Sequence, residues 1–309
     1  MKNEILAAAN RIAPFVRVTP LEYSAETGAY LKLEHLQHTG SFKFRGASNK
    51  IALLTQEQVA AGVVTASNGN HGLGVAAAAS ARGVAAEVFV SSQVALAKAR
   101  RIEGRGARLH HAGEDPLAAE LAARRAAADT GRVYISPYND LDVMAGQGTI
   151  AVELEQQLPR LDAVFVAVGG GGLIGGIGSY LKAVSPRTKI IGCWPEHSPV
   201  MLRCIEAGAI VEVDELPTLS ESTAGGLEPG SVTFDVCRQV IDRGVLVTER
   251  EILNAMRLLL ETEHWLVEGA AGVALAAYLK EVDRWQSKRV AVIVCGRNLS
   301  PGVLHAVRY

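Results

Sequence analysis

The sequence predicts an α/β protein built on two open, mostly parallel twisted sheets flanked by helices. Three observations predict it. Short β-branched runs alternate with Ala- and Leu-rich helical stretches along nearly the whole chain. Several of those runs are apolar from end to end, as strands covered on both faces are. Loops rich in Gly, Asn and Ser follow the carboxyl ends of three of them, where such sheets bind ligands.

Residues 2–13 follow helical spacing and Pro14 ends that helix; Pro20 biases Thr19 toward an extended conformation, and a strand over 30–35 follows. Gly40 then reads as a turn and Ser41 as the N-cap of a helix over 41–54. The next block alternates strand and helix: strands at 63–66, 86–90, 107–110 and 133–136, helices at 71–82, 94–103 and 116–128. It reads as a compact α/β unit over 64–138, set between the two parts of a larger domain, 1–55 and 140–309. A helix over 146–157, strands at 163–168, 190–194 and 290–294, and helices at 179–184, 199–206, 234–243, 249–263 and 272–281 complete the larger domain, with 211–231 the least regular part.

Composition narrows the function. The chain has 309 residues, 49% of them hydrophobic, and a net charge of −1. No global field therefore draws it to nucleic acid or an anionic membrane, and no apolar run is long enough to span one. The four cysteines have no metal-ligand spacing, and with no signal peptide apparent, reduced thiols in a cytoplasmic protein are the expectation. No metal site is expected.

Four segments carry chemistry. In Thr39-Gly40-Ser41-Phe42-Lys43-Phe44-Arg45-Gly46, Lys43 falls in a first helical turn, where the helix dipole disfavours a further positive charge. A lysine between two phenylalanines there suits an amine that loses its proton easily, although a surface lysine on an amphipathic helix has the same pattern. Ser67-Asn68-Gly69-Asn70-His71-Gly72 leaves a strand and enters a helix, a cradle for a carboxylate or simply a capped turn. Seven of the ten residues from Gly169 to Gly178 are glycine, which points to a group approaching the backbone closely, a phosphate being the physical candidate. A dinucleotide fingerprint, and with it a nucleotide-dependent oxidoreductase, is the rival, but its glycines are spaced differently. Cys295-Gly296-Arg297-Asn298 closes the last strand, with a thiol able to offer only a weak hydrogen bond. An aldehyde, a hydroxyl, a phosphate and a ring nitrogen would answer these four segments, and pyridoxal 5'-phosphate has all four.

The chain resembles the fold-type II pyridoxal-phosphate enzymes, whose fold is tryptophan synthase β-like, and within them the threonine/serine dehydratase and serine racemase family. Besides the segments above, Thr19-Pro20-Leu21, Lys32-Leu33-Glu34-His35-Leu36-Gln37, Ala145-Gly146-Gln147-Gly148-Thr149-Ile150 and Val267-Glu268-Gly269-Ala270-Ala271-Gly272 carry the likeness in the same order. The resemblance implies that Lys43 is the Schiff-base lysine, that Phe42 lines the cofactor ring and that Asn70 bonds its hydroxyl. It implies that Gly169, Gly170, Gly171, Gly172 and Leu173 hold the phosphate, that Cys295 faces the ring nitrogen and that Glu268 lies near the cofactor. Ser67, Asn68, Asn70 and His71 would take the substrate carboxylate. A small amino-acid substrate, β-elimination to a 2-oxo acid and ammonia, and a homodimer follow from the same likeness.

Departures from the family pattern are informative. Asn68 stands where the racemases carry a second serine, which implies elimination without racemisation. Trp194 replaces an expected acidic cation ligand, with Glu196 nearby, and Arg297 replaces a usual glycine. Only eleven residues follow Asn298, which implies that the regulatory domain of biosynthetic threonine dehydratases is missing. The segments Trp194-Pro195-Glu196 and Thr223-Ala224-Gly225-Gly226-Leu227-Glu228 are similar to dehydratases of hydroxyectoine utilisation, so a substrate derived from hydroxyectoine is the alternative.

Overall fold

A computed structural model describes residues 1–308. In chain order the elements are α1 (Lys2–Ile12), β1 (Leu21–Ser24), β2 (Ala29–Lys32), α2 (Lys43–Ala52), α3 (Gln56–Ala61), β3 (Val63–Ala66), α4 (Asn70–Ala81), β4 (Ala86–Val90), α5 (Leu96–Glu103), β5 (Arg108–His111), α6 (Pro116–Thr130) and β6 (Val133–Tyr134). They continue with α7 (Leu141–Gln157), β7 (Ala163–Ala167), α8 (Gly172–Val184), β8 (Lys189–Pro195), α9 (Val200–Ala207), α10 (Val232–Val240), β9 (Arg243–Val247), α11 (Glu249–Thr262), α12 (Gly269–Lys280), β10 (Val290–Ile293) and α13 (Pro301–Arg308).

Two sheets result, in the orders β1-β2-β10-β7-β8-β9 and β5-β4-β3-β6. The second is wholly parallel, and in the first only the β1–β2 pair is antiparallel. Each sheet has its own apolar core, because β7, β10 and most of β3 are buried along their length. The core of the smaller sheet also takes Phe44, Ala47 and Ile51 of α2 and Val143 of α7.

Several local expectations need correction. The strand over 30–35 ends at Lys32 and passes into a single 3-10 turn, Glu34–Leu36. Ser41 is not the cap of α2: the helix starts at Lys43, and Ser41 instead forms an antiparallel bridge with Gly296. Phe42 N donates to Cys295 O at 3.1 Å and Arg297 N to Gly40 O at 2.9 Å, so the approach to α2 runs beside the exit of β10. That backbone pairing sets Lys43 next to Cys295. The helix expected over 234–243 stops at Val240, and Arg243–Val247 is a further strand of the larger sheet.

Helices α2, α7 and α8 touch through their backbones. A Cβ added to Gly146 of α7 would lie 2.6 Å from Gly46 Cα of α2, and one on Gly148 would lie 2.9 Å from the Gly176 carbonyl oxygen of α8. Only glycine permits such approaches. Beneath them sits a buried ionic cluster. Arg45 of α2 pairs with Glu34 at 2.8 Å and with Glu153 of α7 at 2.6 Å, and Lys32 of β2 pairs with Glu153 at 2.5 Å. Thr19 Oγ1 donates to Glu34 at 2.5 Å. Two cations and two carboxylates cancel, which is the condition under which buried charge is tolerable.

Candidate active site

Lys43 lies between two cavities. One, of about 430 Å³, is bounded by Ser67, Asn68, Asn70 and His71 on one side and by Ser222, Glu268, Asn298 and Ser300 on another. The other, of about 50 Å³, is lined by Phe42, Tyr138, Gly169, Gly170, Gly171, Gly172, Leu173, Thr223 and Cys295. Lys43, Asn70 and Ser222 border both. The structure thus gathers around one lysine, from five separate segments, the residues to which the resemblance gives a cofactor or substrate role.

The Lys43 amine donates to the Pro137 carbonyl at 2.8 Å and lies 5.2 Å from the centre of the Phe42 ring. Burial pulls its pKa down to about 8, while the charge of Glu268 acts in the opposite sense. Near neutral pH the amine therefore releases its proton far more readily than an ordinary lysine.

Asn70 opens α4 and faces Glu268. Its Nδ2 donates to both carboxylate oxygens, at 3.0 and 2.8 Å, and its Oδ1 accepts from Asn298 Nδ2 at 2.5 Å. Glu268 also accepts from Ser222 Oγ at 3.1 Å and from Asn298 N at 3.3 Å. Burial raises the Glu268 pKa, and these donors and Lys43 oppose that rise. Cys295 Sγ is 3.8 Å from Glu268, and burial first, with that carboxylate beside it, holds the thiol neutral.

His71 is buried with Nε2 at 3.0 Å from the Ile135 carbonyl, which can only accept, so Nε2 carries the hydrogen and Nδ1 is bare. Burial, then the nearby Lys43 charge, lowers its pKa to about 3. It is a neutral imidazole with a buried nitrogen that has no partner. Asn68 is bound differently from its loop neighbours: its amide pairs at two points with Ser91, at 2.8 and 2.9 Å.

The glycine run is partly helical. Gly171, in the left-handed region at φ 86°, caps α8, and the first amides of α8 have no acceptor within their own helix. A methyl on Gly170 would overlap the Tyr138 ring, and one on Gly169 would come within 2.9 Å of the Thr223 backbone. The result is a cup of amides at a helix N-terminus, suited to a phosphate.

Several contributors were not foreseen: Pro137 and Tyr138, Ser222 and Thr223, and Asn298 as a partner of Asn70. Ser136-Pro137-Tyr138 leaves the carboxyl end of β6, and that position was the available signal. Ser222 and Thr223 lie in irregular chain, which carries no periodicity to read. Other expected residues fall elsewhere. Trp194 is fully buried in the core, Glu196 is exposed, and Arg297 is exposed and borders neither cavity. Among the described residues no cluster of His, Cys, Asp or Glu is placed to hold a metal ion. None of the helices in that range is long and apolar enough to cross a membrane.

Comparisons with known proteins agree with this geometry. Residues 9–296 match the family described as pyridoxal-phosphate dependent enzyme. An L-threonine ammonia-lyase of Thermotoga maritima is 39% identical over 310 residues, covering 98% of this chain and 77% of its own. Maize serine racemase superposes with a TM-score of 0.93 at 32% identity, covering 100% of this chain and 96% of that one. The processed threonine deaminase isoform 2 of Solanum lycopersicum gives 0.92 at 30% identity, covering 99% and 93%. The residues present fit the cofactor: a lysine of lowered pKa, an amide cup that side chains would fill, a neutral thiol and an unpartnered buried imidazole nitrogen. On site geometry, sequence and fold alike, the chain belongs to the family of pyridoxal-phosphate-dependent enzymes.

Proposed function

We propose that the protein removes water from a β-hydroxy amino acid, with L-threonine and L-serine as reference substrates, and that the released enamine takes up water again to give a 2-oxo acid and ammonia. The observation that carries this reading is the Lys43 amine, pulled to a pKa of about 8 and set between the amide cup and the larger cavity. Relatives named L-threonine ammonia-lyase and catabolic L-threonine dehydratase support the substrate class. Pyridoxal phosphate, when bound, supplies an aldehyde for the lysine and an electron sink for the carbanion.

The chain's own residues do the rest. Amides from Gly169 to Leu173 at the start of α8 hold the phosphate. Asn70, held by Glu268 at its amide nitrogen and by Asn298 at its amide oxygen, would offer the cofactor hydroxyl an N–H that it now turns to Glu268. Phe42 flanks the ring and Cys295 offers its nitrogen only a weak, uncharged donor. Amides at the start of α4, with Ser67 and Asn68 beside them, orient the substrate carboxylate, while the neutral His71 ring walls that loop without adding a charge. Lys43, once its amine is free, takes the proton from Cα as general base. The resulting ammonium then gives that proton to the departing β-hydroxyl, which leaves as water and returns Lys43 to the free amine. A cytoplasmic homodimer belongs to the same reading, and light scattering tests the dimer.

The decisive experiment is borohydride reduction of the holoenzyme followed by peptide mass analysis, alongside an assay for 2-oxo acid from L-threonine. A reduced cofactor adduct on Lys43 with turnover is expected. An adduct elsewhere, or no 2-oxo acid from either reference substrate, overturns the reading.

A further inference from the structure

The larger cavity is bridged twice. At the Lys43 end, Asn70 reaches across to Glu268 and Asn298. Toward solvent, where both side chains are partly exposed, Lys98 of α5 reaches Glu221, which lies in the irregular chain between α9 and α10, with Nζ 3.3 Å from Oε2. Ser300 Oγ buttresses that carboxylate from a third direction, donating to Oε1 at 2.6 Å. Lys98, Glu221 and Ser300 all border the cavity.

The two bridges differ in kind. Asn70 and Glu268 are 9% and 5% exposed, whereas the side chains of Lys98 and Glu221 are 25% and 48% exposed. An ion pair with that access to water is weak and is screened by salt. It is a tie that can open without disturbing either core. Its place also matters. With the amine fixed at Lys43 and the carboxylate at the start of α4, a substrate's side chain has only the remaining walls to face. Those walls combine the short side chains of Pro116, Ala119 and Ala224 with Leu219, Leu299 and the ion pair.

We propose, resting on the dehydratase reading above, that the Lys98–Glu221 pair is the end wall and gate of the substrate cavity and limits the length of side chain accepted. Neither residue touches the reacting atoms. They determine specificity by where the cavity stops, and Ser300 holds the carboxylate in place.

The test compares kcat/KM for L-serine, L-threonine and β-hydroxynorvaline in the wild type, Lys98→Ala and Glu221→Ala. The quantity read is the ratio of β-hydroxynorvaline to serine, which a general loss of stability leaves alone. A wall held by an exposed ion pair opens at a cost of at most about a factor of five, so the ratio should rise by about three- to fivefold in both variants. In the wild type it should rise toward the variants' value as KCl goes from about 0.05 to about 1 M, and in the variants it should stay flat. Glu221→Gln, which keeps the volume and the Ser300 contact, should fall between. The salt series requires no variant to fold. A ratio within twofold of wild type in both alanine variants overturns the proposal, as does a salt response that wild type and variants share. An active wild type with such results leaves the dehydratase reading standing. A wild type that yields 2-oxo acid from none of the three substrates overturns that reading and this proposal with it.

Discussion

Lys32 is fully buried and Lys43 half-buried between two cavities, and desolvation lowers the pKa of both. Their partners separate them. Lys32 meets the Glu153 carboxylate at 2.5 Å, the Thr19 carbonyl at 2.8 Å and the Gln157 amide oxygen at 2.8 Å, three acceptors for the three hydrogens of an ammonium. Lys43 has one carbonyl, from Pro137, and its carboxylate neighbour Glu268 is engaged by Asn70, Ser222 and Asn298 instead. The first arrangement stabilises a charge. The second leaves an amine that exchanges its proton easily and faces open space. Burial alone does not make a lysine reactive; withholding its counter-charge does.

Exchanging the fates of these two lysines should break the comparison most sharply. Lys43→Ala should lower kcat by at least about 10⁴-fold, the upper range for a lost general base, while the urea midpoint stays close to wild type. Steady-state assay and denaturation on the same sample check both halves. Lys32→Met should do the reverse. Removing one partner of a buried pair leaves Glu153 short of a cation and should cost about 3–5 kcal/mol of stability, with kcat per folded molecule nearly kept. Urea unfolding with active-site titration would expose the opposite outcome.

Proton exchange sharpens the contrast further. In the cofactor-free protein at pH 8, the neutral fraction of Lys43 should exceed that of an ordinary lysine about 100-fold, given a reference pKa of about 10.4. A sub-stoichiometric amine reagent should therefore label Lys43 first and Lys32 scarcely at all, as peptide mass spectrometry would read. The linkage has a definite sign. Because the folded pKa of Lys43 is depressed, the unfolded chain binds more protons between about pH 8 and about 10.4. This group accordingly makes the cofactor-free protein more stable as pH rises through that window, and the gain is absent below about pH 8. The smallest effect is expected at Cys295→Ser. It replaces one neutral donor with a somewhat better one beside Glu268, so kcat should move by no more than about tenfold, the scale of one hydrogen bond. A loss as large as that of Lys43→Ala would give the thiol a role the geometry does not.

Much of this was legible in advance because the signals were local. The strands Val63–Ala66 and Ala86–Val90 matched their expected limits, since β-branched runs bounded by Gly have one reading. Lys43, Asn70, the glycines and Cys295 could each be found because each sits at a strand end or helix start. What escaped was set by tertiary contact. The expected helix over 179–184 in fact begins at Gly172, within the glycine run. Each interior glycine weakens a helix by about 0.5–1 kcal/mol, and local propensity therefore hid that start. Packing against α7 through Gly176 offsets the weakness. Tyr138 entered the site only because Gly170 leaves room for its ring, and Glu221 and Ser222 lie in chain with no period at all. No strand is expected from the sequence over 244–247, and the preceding helix is carried three residues too far, because Val240 and Ile241 fit either pattern. The last helix, Pro301–Arg308, was not foreseen.

The backbone contacts of α2 and α8 with α7 have a consequence for affinity. One central helix gauges the distance between the lysine and the amide cup, so the span is set when the chain folds. A ligand that carries both a phosphate and an aldehyde would then bind as a chelate, since docking at the cup would deliver its other end to Lys43 at an effective concentration of the order of millimolar or higher. Its capture by Lys43 would be a ring closure instead of a chance encounter, and a phosphate-free aldehyde of the same ring would have to find the lysine from bulk solution.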